Sequence, residues 1–499
     1  MPVSYNGKKF TFYNPDGSEF TVRGWGNQFN AIFETLDGYT IIKDSKSGFY
    51  HYATISENNR ELVPSSMRVG LVDSKSVELP KHLRPHDERI QLMATEQPNE
   101  LGGKRRWEER RAQRHKKLKA TASDEDLREA RFEGTVGKYV GLCLLVEFPD
   151  VSSTVTQSQV NDFCNKIGYN DFGNNGSVYD YFFDVSQGKL QYNNIVTTYY
   201  KTQHPRSYYT DPNIPHGTRA RNLIVEALTS LKANGFDFSE LSSDSGGYIY
   251  ALNVFYAGNC INSWSEGLWP HSSSLSSPLL ATSNKKFFDY QITNIGTKLT
   301  LGTFCHENGH MICEFPDLYD YTGKSNGVGD YSLMAYGGSE TNPTQVDAYL
   351  KNFAGWTSKL TTITGGKVFT LSADKNEFLI YRKDKDEYFI LENRQKTGRD
   401  ASLPDEGLAI WHVDEKGSNN NYQMTPSKHY ELSLEQPDNR FDLERKVNCG
   451  DSEDFYGGSK TSKFGSGTKP NSNWWDGTHS GLEIEEISNP NSIMTIKTK

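Results

Sequence analysis

Alternating apolar and polar positions mark the chain from Val3 to about Val72. The runs KKFTFYNPDG, EFTVRGWGNQF and YTIIKDSKSGFYHYATI are short and separated by NPDG, LDG and SKSG turns, a pattern that predicts β-hairpins. A second regime begins near Gly134. Tyr139 to Phe148 (YVGLCLLVEF) is a continuous apolar run of strand length, closed by Pro149-Asp150, and predicts a central buried strand. Ser177 stands as an N-cap before the helically spaced aromatics of VYDYFFDVS, and Thr218 to Ala233 has helical periodicity closed by Asn234-Gly235. Tyr248 to Tyr256 (YIYALNVFY) reads as a further strand. This alternation predicts a mixed α/β domain. After Trp356 the runs KVFTL, FLIYRK, EYFILENR, GLAIWHVD, IEEIS and IMTIKT, set between Gly, Asn, Asp and Pro clusters, predict a β-sandwich-like C-terminal domain.

Between Glu78 and Asp124 proline gives way to charge. Lys104 to Lys119 (KRRWEERRAQRHKKLK) carries nine Lys or Arg against two Glu. It reads as a solvated linker helix, or as a dibasic segment exposed to another protease. The expected division is a β-rich region with this basic linker over 1–118, a central domain over 119–358 and a C-terminal β domain over 359–499.

Composition narrows the function classes. The 499 residues are enough for several domains, and a net charge of −9 offers no overall field toward phosphate backbones, so nucleic acid is not the expected partner. No apolar run is long enough for a membrane span, and MPVSYNGKKFTFYNPDG shows no signal-peptide core. Six scattered cysteines form neither a disulfide framework nor a CxxC pair.

The chemistry concentrates in Cys305 to Tyr321, CHENGHMICEFPDLYDY. On a helix, His306 and His310 lie four apart on one face and can reach one metal ion, with Glu307 beside them to act as a base. The bland alternative is a surface helix with two unrelated histidines. Phe315-Pro316-Asp317 breaks the helix soon after His310, and a zinc site needs a third protein ligand with one position open. Asp317 is the first candidate for that ligand, then Glu314, then Asp320. Downstream, GDYSLMAYGG places Met334 two residues before Tyr336, as in the methionine turn and tyrosine of metzincin-type proteases. Gly323 to Gly327 matches GxSxG, but lacks the flanking strand and helix of a nucleophile elbow and reads as a loop. His271 and His412 read as structural histidines.

Taken together, these residues resemble the immune inhibitor A family of zinc metalloproteases. The similar phrases are VEFPD at Val146, SVYDYFFDVSQGKL at Ser177, ALNVFYAG at Ala251, LWPHS at Leu268, HENGHMICEFPDLYDY at His306, YSLMAYGG at Tyr331, YFILENRQ at Tyr388 and GLAIWHVDE at Gly407. The resemblance implies a metzincin-like α/β (α+β) catalytic domain, an N-terminal propeptide, secretion, and hydrolysis of peptide bonds in protein substrates with one catalytic Zn²⁺. It assigns His306, His310 and Asp317 to the metal, Glu307 to the base and Met334 to the turn. Tyr336 is expected to stabilise the oxyanion. Where the usual metzincin pattern has a glycine and then the third ligand, this chain has Cys313 and Pro316, so Asp317 comes one residue late. Relatives carry an acidic loop before Ala251, whereas Ser242 to Tyr250 keeps only Asp244, a poor calcium site. A latent precursor awaiting an activating protease is expected. Because no cysteine precedes Cys143, latency would rest on a carboxylate or on steric cover. The competing class is a catalytically silent adhesion or binding protein that retains the fold.

Overall fold

A computed structural model of the chain describes residues 5–27, 30–56, 61–72, 77–86, 90, 105–120, 134–420, 428–458 and 460–499, with side chains at 118–120 left out. Lys104 and much of the expected linker lie outside the described residues. Two compact units emerge, each discontinuous in sequence. The first comprises Met1–Arg106, Leu142–Gln157 and Val196–Lys298; the second comprises Trp107–Gly141, Ser158–Ile195 and Leu299–Lys499.

In the first unit the N-terminal alternation becomes a six-stranded antiparallel meander: Tyr5–Tyr13, Glu19–Gly26, Ala31–Thr35, Thr40–Lys43, Tyr50–Ile55 and Leu62–Arg68. Its apolar face buries Phe12, Val22, Phe33, Ile41, Tyr50 and Tyr52. Trp269, from a distant loop, completes that core, and Trp264 Nε1 donates to Asn27 O at 2.9 Å.

A second sheet in this unit contains Gly137–Glu147 from Leu142 on, Leu252–Ala257, Lys286–Ile295 and His271–Leu280. Its first three strands are parallel, and the last is antiparallel. Leu252–Ala257 is buried throughout, as expected for a parallel strand covered on both faces. This strand is shorter than predicted. Gly247 turns the chain at φ 76°, and Ile249 donates to Lys286 O before the ladder begins. Helix Thr218–Ala233 buries Ala220, Leu223, Ile224, Ala227 and Leu228 as a single stripe.

The second unit holds helix Val178–Ser186, started by the predicted Ser177. The Ser177 side chain accepts from Asp180 N while Asp180 accepts from Ser177 N, a reciprocal capping box. Helix Leu301–Cys313 follows, buried along its length. The six predicted C-terminal strands, joined by Lys359–Thr362 and Leu432–Leu434, which were not predicted, form a five-stranded and a three-stranded sheet. One cluster, including Leu379, Phe389 and Ile410 from the larger sheet and Leu371, Ile487 and Ile496 from the smaller, fills both inner faces.

Candidate active site

Helix Leu301–Cys313 carries His306, Glu307 and His310 and ends at Glu314, which adopts a left-handed conformation at φ 60°. That reversal turns Phe315 back so that its carbonyl accepts from His310 Nδ1 at 2.5 Å. His306 Nδ1 bonds Leu333 O at 2.8 Å. A carbonyl only accepts, so both imidazoles carry a proton on Nδ1 and turn Nε2 toward Asp317, where it offers a lone pair once deprotonated. Asp317 enters from the segment beyond the helix, where Met334 O accepts from Leu318 N at 2.8 Å. Residues 333–334 thus hold the first histidine and the aspartate segment together. Under the helix, the Met334 sulfur lies 2.9 Å from where a Cβ at Gly309 would stand, so a larger residue there would have to displace the Met334 side chain.

The two Nε2 atoms lie 3.1 Å apart, and Asp317 Oδ1 lies 3.0 Å from His306 Nε2 and 3.3 Å from His310 Nε2. All three residues are fully buried. Burial alone would raise the Asp317 carboxyl. The facing imidazoles of His310 and His306 outweigh it and hold the group well below the ordinary carboxylate range. Tyr321 donates to Asp317 Oδ2 at 2.6 Å, which leaves Oδ1 to face the histidines. Two lone pairs and a carboxylate oxygen at these separations suit a cation with tetrahedral bonds of about 2.0 Å. Glu307 adds a second sign: both carboxylate oxygens are buried without a hydrogen-bond partner. The donor set therefore fits a zinc ion with Glu307 alongside.

Of the three candidates for the third ligand, only Asp317 joins the histidines. Glu314 pairs with Arg110 at 3.3 Å and Arg114 at 3.4 Å. Asp320 closes a turn, accepting from Thr322 N at 3.0 Å and Lys324 N at 2.9 Å. Tyr336 is half-buried, its ring 5.9 Å from that of Tyr319, whose hydroxyl is buried without a partner. Asp244 is committed to a local turn and to Arg106 Nε at 2.7 Å. His271 is buried between Trp269 O at 2.7 Å and the Tyr290 hydroxyl at 3.0 Å. His412 is buried between Glu387 at 3.1 Å and Glu435 at 3.3 Å.

Sequence reasoning did not find Tyr321 or Trp107. Trp107 is buried, its indole stacked on the His310 ring at 4.7 Å and 24°. It opens the basic helix Arg106–Ala120, whose Arg110 and Arg111 are also buried. For these residues both the solvated-linker and the exposed-segment expectations are wrong. Carboxylates, not water, receive the arginines.

The chain carries the catalytic domain of a metallopeptidase, a hydrolase acting on peptide bonds. Residues 266–369, about a fifth of the chain, match the family model of the immune inhibitor A peptidase M6 catalytic domain. The match contains His306, Glu307, His310, Asp317, Met334 and Tyr336. No curated protein matches the chain.

Proposed function

We propose that this protein is a secreted zinc endopeptidase made as a latent precursor. One observation carries the reading: His306 Nε2, His310 Nε2 and Asp317 Oδ1 converge beside the buried, unpartnered carboxylate of Glu307. His306, His310 and Asp317 would hold the metal. When bound, zinc supplies Lewis acidity to the scissile carbonyl and makes a water acidic enough to react near neutral pH.

The chain's own residues do the rest. Glu307 takes a proton from the attacking water and passes it to the leaving amine. Because neither of its oxygens is committed to another donor, both remain available for that transfer. The Leu333 and Phe315 carbonyls fix the imidazole tautomers, and Tyr321 fixes the carboxylate. The Tyr336 hydroxyl donates to the oxyanion as it develops. In the precursor, Trp107 lies flat on His310 and excludes substrate from that side. This assigns latency to steric cover.

Casein hydrolysis with and without a chelator tests the reading, alongside zinc content and the Glu307→Ala variant. The expected result is chelator-sensitive hydrolysis that Glu307→Ala abolishes while zinc stays bound. Full activity in that variant would remove Glu307 as the base.

A further inference from the structure

We infer that the carboxylates holding the basic helix, Glu314, Glu415 and Glu431, form a recognition site for arginine and lysine side chains, so that the active enzyme selects basic peptide segments. This rests on the peptidase reading above and adds the substrate class to it.

The inward face of the helix is Trp107, Arg110 and Arg111, which are buried, and Arg114 and His115, which are half-buried, at positions i, i+3, i+4, i+7 and i+8. Such a stripe is ordinarily apolar. Here all but its first member are basic. Arg110 bonds Met311 O at 2.6 Å as well as Glu314, while Arg111 pairs with Glu431 and also bonds Glu314 O at 2.9 Å and the Tyr349 hydroxyl at 3.1 Å. His115 pairs with Glu415 at 3.3 Å. Phe353 forms the floor, with the Arg111 and Arg114 guanidinium groups 4.5 and 4.6 Å above its ring. Carboxylates around an aromatic face are the surroundings a guanidinium seeks.

None of these carboxylates belongs to the group formed by His306, His310 and Asp317. Among the described residues, every ion pair made by Glu314, Glu415 or Glu431 comes from this helix. Burial, reinforced by neighbouring Glu431, pushes Glu415 up to about 7. Displacing the helix removes the basic partners of these clustered carboxylates, and an incoming cationic side chain would replace them. Glu314 makes the link to catalysis short. It follows His310 by four residues and holds a left-handed conformation in which glycine is the easier choice. Trp107, one turn before Arg110 and Arg111, marks how near this site lies to the metal-binding residues.

The test uses the full chain. Hexa-arginine should compete with the helix and raise hydrogen exchange at residues 107–117 at least ten-fold, whereas hexa-glutamine should not. A Trp107→Ala/Arg111→Ala chain that also carries Glu307→Ala should bind hexa-arginine at least ten-fold more tightly than hexa-glutamine, and Glu431→Gln should erase most of that difference. Equal binding of the two peptides, or equal exchange in their presence, would overturn the inference. Cleavage is scored separately, with Glu307 intact. Arginine-selective binding without any chelator-sensitive cleavage would sustain the recognition site and remove the peptidase reading.

Discussion

The indole of Trp107 stacks on the imidazole of His310 at 4.7 Å, so the first turn of a strongly basic helix covers a residue proposed to hold the metal. An aromatic stack of this kind contributes about 1 kcal/mol beyond the area it buries. Removing it shifts the balance between covered and open forms. Trp107→Ala in the full chain is expected to raise chelator-sensitive peptide hydrolysis by roughly ten-fold. A rate equal to wild type, with zinc bound in both proteins, would show that the indole does not restrain activity.

Tyr321 is a positioning residue. Its hydroxyl donates to Asp317 Oδ2 at 2.6 Å. Outer partners of metal ligands are typically worth about 10–100-fold in metal affinity. Tyr321→Phe should weaken zinc binding by that factor, measured by competition with a chromophoric chelator, while kcat at saturating zinc stays within a few-fold of wild type. Unchanged zinc affinity would remove this role.

Tyr336→Phe separates two hydroxyls. If Tyr336 donates to the oxyanion, the substitution lowers kcat by about 10²-fold with KM and zinc content little changed. An unaltered kcat would move the role to another donor. Tyr319, buried beside Tyr336 with its hydroxyl unpartnered, is the nearest candidate.

His216 and His271 couple the first unit to pH. Their rings lie 4.6 Å apart; burial lowers His216 to about 4 and His271 well below its ordinary value. The unfolded chain therefore binds these protons more readily than the folded chain. Their contribution to stability is complete above about pH 6.5 and is lost as pH falls from there toward 4. Each histidine is expected to cost about 1 kcal/mol per pH unit within that window. Thermal unfolding should show a midpoint that falls below pH 6.5, with a shallower fall in His216→Asn. A midpoint flat from pH 7 to 4.5 would contradict this.

Gly309 lies within the motif but ligates nothing. Gly309→Ala forces a Cβ to within 2.9 Å of the Met334 sulfur. Overpacking of this kind costs about 1–3 kcal/mol. Denaturant unfolding should show that loss together with weaker zinc binding, since the displaced turn includes Leu333, the acceptor for His306.

The sequence made the metal-binding group legible because three separate signals converge there. Helical spacing put His306 and His310 on one face, Pro316 ended the helix, and a carboxylate was needed just beyond it. Asp317 then joins the histidines despite its late position, after the left-handed turn at Glu314. Six of the strands after Trp356 were equally legible from their apolar runs. Less visible was His271–Leu280, whose HSSSLSSPLL sequence has serines where an apolar alternation would announce a strand; its pairing with Lys286–Ile295 and burial of its first five residues establish it. The Arg106–Ala120 face was hidden for a related reason. Hydrophobic periodicity detects apolar stripes, whereas this inward stripe is mostly arginine and histidine matched by carboxylates more than 190 residues away in the chain. Trp107, Ala112 and Leu118 were the only apolar residues within that run of charge.

Zinc content measured together with casein hydrolysis, on wild type and on Asp317→Ala, tests the central claim most directly. The account predicts one equivalent of zinc and chelator-sensitive hydrolysis in wild type, with both lost in the variant. A wild-type chain that takes up no zinc, or an Asp317→Ala chain that keeps both zinc and activity, would contradict it.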